Sequence, residues 1–122
     1  MDRDGITHDY SRREGVGHSE IVLPEAVDAA WARDRSALWN AAERFETRTD
    51  ARVAREFVIA LPHELSEEAR ELLTREFAQD LANRYGAAVD FAIHAPGSQG
   101  DVRNHHAHLL MTTRQVTGEG LG

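Results

Sequence analysis

Four of the chain's seven histidines fall within IHAPGSQGDVRNHHAHLL, residues 93 to 110. If Asn104 to Thr112 runs as an extended strand, successive side chains point to opposite faces. His106, His108, Leu110 and Thr112 then share one face, and His105, Ala107, Leu109 and Met111 the other. The preceding stretch AAVDFAIHA alternates in the same way, with Val89, Phe91 and Ile93 on one side and Asp90, Ala92 and His94 on the other. Pairing the two stretches through the Pro/Gly/Ser/Gln/Asp loop between them brings His94 to the His106/His108 pair, which makes three nitrogen ligands for one divalent ion. Histidines standing exposed on a strand without an ion are the plain alternative. The small Ala107 between the two ligands and the run Leu109, Leu110 and Met111 speak for a strand packed on a core.

The elements around this pair can be read from periodicity and caps. Ala54 to Leu61 alternates and is closed by Pro62, so it is a strand with Glu56, Val58 and Ala60 on one face and Phe57, Ile59 and Leu61 on the other. Glu56 either faces solvent or, if it lies with the histidines, accepts a ligand imidazole's proton or ligates the ion itself. Ser66 to Tyr85 reads as a long helix, capped by Ser66, favoured at its start by Glu67 and Glu68, and terminated by Gly86. Its expected buried stripe is Ala69, Leu72, Leu73, Phe77 and Leu81, with Glu71–Arg75 and Asp80–Arg84 as solvent-side pairs. Earlier in the chain, HSEIVL (18–23) is a strand stopped by Pro24, and PEAVDAAWARD suits one or two helical turns. A further helix starts after an Asp34 or Ser36 cap, buries Leu38, Ala41, Ala42 and Phe45, and ends near Arg48. Trp31 and Trp39 are expected to pack in the core or a lid. Residues 1 to 15 and the tail TTRQVTGEGLG carry no sustained period. The expected class is α+β: a mainly antiparallel sheet with helices packed on one face and the three-histidine site on the other.

Composition narrows the function classes. At 122 residues, 41% hydrophobic and 29% charged, the chain suits one small domain. With no cysteine, disulfides and thiolate metal sites are excluded. No apolar run approaches a membrane span and no signal sequence opens the chain, so a cytoplasmic protein is expected. The formal charge is −7 and every basic residue is arginine. Such a balance counts against strong sequence-independent binding of nucleic acid, although Arg12, Arg13, Arg103 and Arg114 can form a local positive stripe.

A histidine, a short loop and then H-x-H with an apolar middle residue, here His94 and His106-Ala107-His108, is similar to the motif of the HUH endonucleases. Together with GVGHSEIVLP, AAERFETR, REFVIALPHELS, FAQDLANRYG and VDFAIHAPGSQGDVRNHHAHLLMTTRQVT, nearly all of residues 5 to 122 resembles the MobA/MobL relaxases, including those that head TraA conjugation proteins. The resemblance implies a nickase of single-stranded DNA at a plasmid transfer origin. In that chemistry a tyrosine attacks the scissile phosphodiester while a histidine-held ion polarises it. It implies His94, His106 and His108 as ligands of manganese, magnesium or zinc, and Glu56 as a metal or supporting residue. Arg103 and Arg114 are its candidate DNA contacts, and other relaxosome proteins its further partners. In the family the first strand and the nucleophile helix precede the segment where this chain starts. Residues 1 to 122 are therefore expected to be a single partial relaxase domain, truncated at both ends, that binds the metal, lacks the nucleophile and is inactive by itself. Tyr10 matches a position after that helix, and Tyr85 is expected to pack. An open sheet edge would invite a homodimer. The other readings are a metal-dependent DNA-binding module that does not cut, and a structural remnant.

Overall fold

The alternating apolar residues from Val89 to Ile93 and from Ala107 to Met111 make two strands that are buried on at least one face throughout, and these form the centre of the sheet. The structure, a computed structural model, describes residues 16–45, 54–95 and 105–122. Strands β1 (Val16–Val22), β2 (Ala54–Leu61), β3 (Val89–His94) and β4 (His105–Thr112) lie in the order β1-β3-β4-β2, each antiparallel to its neighbour. A 3-10 turn at Ala30–Arg33 leads into helix α1 (Arg35–Phe45), and helix α2 (Glu67–Tyr85) joins β2 to β3. Because β4 separates β2 from β3, those two strands run parallel, and α2 is the crossover between them. The α+β class and the antiparallel sheet agree with the sequence reading. Among the described residues no helix is long and apolar enough to cross a membrane.

Helix α2 starts and stops where its caps place it. Ser66 accepts the Ala69 N–H on its hydroxyl at 3.1 Å, and Gly86 takes the left-handed conformation at φ 64°. The buried line differs from the expected one. It is Thr74, Ala78, Leu81 and Ala82, whereas Leu72 and Leu73 are 52% and 43% exposed. Small residues let the helix lie close on Phe91, Leu109 and Met111, and the Thr74 hydroxyl, donated to the Arg70 carbonyl at 2.8 Å, carries no unmet polar cost. The rotation is held by an ion pair that also differs from expectation. Arg75 reaches β1 rather than Glu71, donating from Nε and Nη2 to the two oxygens of Glu20 at 2.8 and 2.7 Å.

The two helices take opposite faces of the sheet, which corrects the expectation that both would lie away from the histidines. Asp90 decides this. It sits fully buried on the face that β3 shares with His94, where an unpaired carboxylate would be very costly. Arg35 of α1 donates to both its oxygens at 2.8 Å, and Trp39 Nε1 donates to Oδ2 at 2.9 Å. Helix α1 is thereby docked on that face, burying Leu38, Trp39, Ala41 and Ala42 with Ile21 and Ala88 and against the partly buried Leu110. The tail, unpatterned in sequence, also belongs to this layer. Val116 and Leu121 are buried and pair with each other, and the Val116 N–H donates to the Gly86 carbonyl.

Two outcomes follow for stability. Asp90→Ala leaves the Arg35 guanidinium without its buried partner and should cost about 3 kcal/mol in chemical denaturation, against under about 0.5 kcal/mol for the exposed Glu76→Ala. The hydrogen bonds from Arg75, and secondarily the one from His18, hold the Glu20 carboxyl below its ordinary value of 4.5. Its ionised form is the bound one, so its contribution is complete above that value and is lost as pH falls through the lower native one. The stability advantage of the wild type over Glu20→Gln, about 1 kcal/mol at pH 7, should hold to pH 5 and close at lower pH.

Candidate metal centre

His94 ends β3 directly opposite His106 of β4, and Ala92 lies opposite His108. His94 is thus the cross-strand neighbour of one histidine and the diagonal neighbour of the other, all three on the α1 side of the sheet. Their ring centroids are 5.2 Å (94–106), 4.7 Å (94–108) and 5.0 Å (106–108) apart, with His94 and His106 stacked at 10°. One nitrogen from each lies within 4.8 Å of the other two. Nitrogens on a shared tetrahedral ion stand about 3.4 Å apart, given metal–nitrogen bonds of about 2.1 Å, so small side-chain rotations close the set. The donors are neutral-capable imidazoles, half-buried at a sheet end that α1 leaves uncovered, and they fit a borderline divalent ion. Among the described residues no other three histidine or acidic side chains converge in this way.

The neighbouring strand completes the surroundings. Ala60 faces His106 and Val58 faces His108 across β2–β4, and Glu56, two residues further along β2, approaches His108. Glu56 Oε2 lies 3.3 Å from His108 Nδ1. When that nitrogen carries the proton and donates it, the Nε2 lone pair is left for an ion. Of the residues singled out from sequence, the structure brings together His94, His106, His108 and Glu56. His105 points to the α2 face; burial first, then the charges of Arg70, His63 and His106, hold its pKa below the usual imidazole value. Arg114 follows the opposite end of β4, about 20 Å along the strand from His106 at 3.3 Å per residue. Tyr85 closes α2 with its ring near Arg55 and Arg84, on the other face of the sheet. Tyr10 and Arg103 lie outside the described residues. Asp90 was missed as an organising residue. Its signal is a lone acid amid the apolar AAVDFAI run, where only a buried partner makes a carboxylate tolerable.

A profile of the MobA/MobL family matches residues 1–122. The chain belongs to the MobA/MobL family. It is 37% identical over 140 residues to the mobilization protein MobL of Acidithiobacillus ferridurans, an alignment covering 98% of this chain and 36% of that protein. It is 38% identical to the probable conjugal transfer protein TraA of Sinorhizobium fredii, over 99% of this chain and 11% of TraA. With the probable mobilization protein MobA of Bifidobacterium longum it shares 39% identity, over 94% of this chain and 20% of that protein. This MobA/MobL chain therefore spans about a third or less of the length of these relatives.

The Glu56 contact has a direct readout. In the metal-free protein, imidazole nitrogen shifts in NMR should report His108 with its proton on Nδ1, and Glu56→Gln should move the tautomer balance toward Nε2–H while leaving His94 little changed. An unmoved His108 would mean that the carboxylate does not set its tautomer.

Proposed function

We propose that this chain is the metal-binding part of a relaxase domain that acts in plasmid mobilisation by nicking single-stranded DNA at a transfer origin. The observation that carries the reading is the convergence of His94, His106 and His108 at an uncovered sheet end, in a chain whose relatives are named for mobilization and conjugal transfer. These three side chains would hold manganese, magnesium or zinc. Once bound, such an ion supplies positive charge that polarises a phosphodiester and offsets the negative charge developing on its oxygens.

The chain's own part is to orient and to admit. The β3–β4 pair sets three imidazoles in a half-buried cluster, and Glu56, by taking the His108 proton at Nδ1, would leave Nε2 as that residue's donor to the ion. Val58, 57% exposed, and the small Ala60 leave a low wall on the β2 side over which a single strand can reach the centre. The net charge of −7 makes the ion and local arginines, with Arg103 and Arg114 as candidates, the means of attracting DNA rather than the overall field. The attacking tyrosine is not Tyr85, which stands on the opposite face, and we place it outside the described residues. A second copy would add at an outer edge of the sheet, where β1 and β2 each have no further partner strand among the described residues.

Calorimetric titration of manganese and zinc into the metal-free protein tests this reading. One saturable site is expected, lost in His106→Ala/His108→Ala. His105→Ala should retain wild-type affinity, and Glu56→Gln should weaken binding by about tenfold. Manganese-dependent retention of single-stranded DNA at low salt should follow the same order. Equal losses on replacing His105, His106 and His108 would refute the assigned faces, and absence of metal binding would end the proposal.

A further inference from the structure

Tyr85, expected from the sequence to pack, is instead 43% exposed at the end of α2. Arg84, which the sequence spacing pairs with Asp80 one turn earlier, turns to this ring: its guanidinium carbon lies 6.0 Å from the ring centre. Arg55 of β2 lies 5.9 Å from the same centre. Both arginines are exposed, and neither has a carboxylate partner among the described residues. The last carbonyls of α2 carry partial negative charge and favour cations nearby. That accounts for two arginines, but not for an aromatic ring left open to solvent beside them, since such rings mostly bury their area.

An open ring with two uncommitted guanidiniums is the complement of a base with phosphate beside it: the ring face stacks, and each planar fork donates to phosphate oxygens. A carboxylate alone would engage the guanidiniums and leave the ring bare. We propose that Tyr85, Arg55 and Arg84 form a second contact for single-stranded DNA, away from the histidine cluster, with Tyr85 stacked on a base and the arginines on the neighbouring phosphates. The proposal deepens the relaxase reading and rests on it. In a chain of net charge −7, positive charge for DNA has to be concentrated locally, and here it is concentrated beside an aromatic face.

The outer strand β2 joins the two contacts. It runs from Arg55, opposite Met111, to Ala60 and Leu61, opposite His106 and His105. Arg55 and Ala60 are about 16 Å apart along it, at about 3.3 Å per residue. On the α2 face between them, the partly buried Phe57 meets Phe77 edge-on, with ring centroids 6.4 Å apart. A single strand that comes over Val58 and Ala60 to the histidines can therefore lie along β2 and reach Tyr85 at its far end.

The test is binding of labelled oligo-dT of about 16 nucleotides to the manganese-loaded protein, read by fluorescence anisotropy over a range of salt. Tyr85→Ala should weaken binding about tenfold, with Tyr85→Phe close to wild type. Arg55→Gln/Arg84→Gln should also weaken it and should lower the slope of log affinity against log salt by about 1.4, the value for two phosphate contacts on a single strand. Arg33→Gln, at an equally exposed arginine outside the patch, should change neither. Replacing one thymine by 5-iodouracil and irradiating should attach the oligonucleotide to the peptide that carries Tyr85. Wild-type affinity in Tyr85→Ala, or an equal loss in Arg33→Gln, would overturn the proposal. Manganese-dependent retention untouched by the patch variants would remove this contact and leave the relaxase reading in place. Tyr85-dependent cross-linking in a protein that binds no metal would keep the contact and remove that reading, and absence of any oligo-dT binding would end both.

Discussion

The register of β3 against β4 sets everything else in this domain. With His94 opposite His106, every second residue of both strands falls into one of two sets. One is the apolar set Phe91, Ile93, Ala107, Leu109 and Met111, buried under α2. The other carries Asp90, His94, His106, His108 and Leu110. A slip of one residue would drive the histidines into the α2 core and expose the apolar set. The same apolar burial that stabilises the sheet therefore also assembles the histidine cluster, and no separate device is needed to bring its members together.

The second face is divided between packing and chemistry. At one end α1 is tied down by the buried Asp90–Arg35–Trp39 group and covers Ile21 and Leu110. At the other end nothing among the described elements covers His94, His106 and His108. A polar anchor deep in a small domain is costly to desolvate, but it is directional: a bidentate guanidinium and an indole N–H permit one placement of α1 on the sheet. That placement leaves the histidine end open.

Helix α2 does for the first face what α1 does for the second, by different means. Its caps define its length, its small residues define how closely it lies, and Arg75–Glu20 defines its rotation. One consequence is that the half-buried Arg70 and Glu71, with the exposed Glu67 beside them, line a cavity on the α2 face at the histidines' end of the sheet.

What the sequence determined by itself was whatever depends on neighbours along the chain. The strands, the long helix with its Ser66 and Gly86 caps, the short β3–β4 connection that forces antiparallel pairing, and hence the meeting of His94 with His106 and His108 all follow from local periodicity and turn chemistry. Glu56 was legible only in part: alternation along AREFVIAL sets it on one face with Val58 and Ala60, but that this is the histidines' face follows from the pairing of β2 with β4. What only the tertiary structure decided was how the elements rotate and which distant charges meet. Leu72 and Leu73 have the spacing of a buried stripe, yet small residues elsewhere on α2 allow a closer approach to the sheet, and an arginine finds a glutamate on β1 rather than one turn away. The anchoring of α1 by Asp90 and the burial of Val116 and Leu121 were likewise out of reach. Burial and ion pairing between distant segments are settled by the free energy of the whole packed arrangement, which no local pattern encodes.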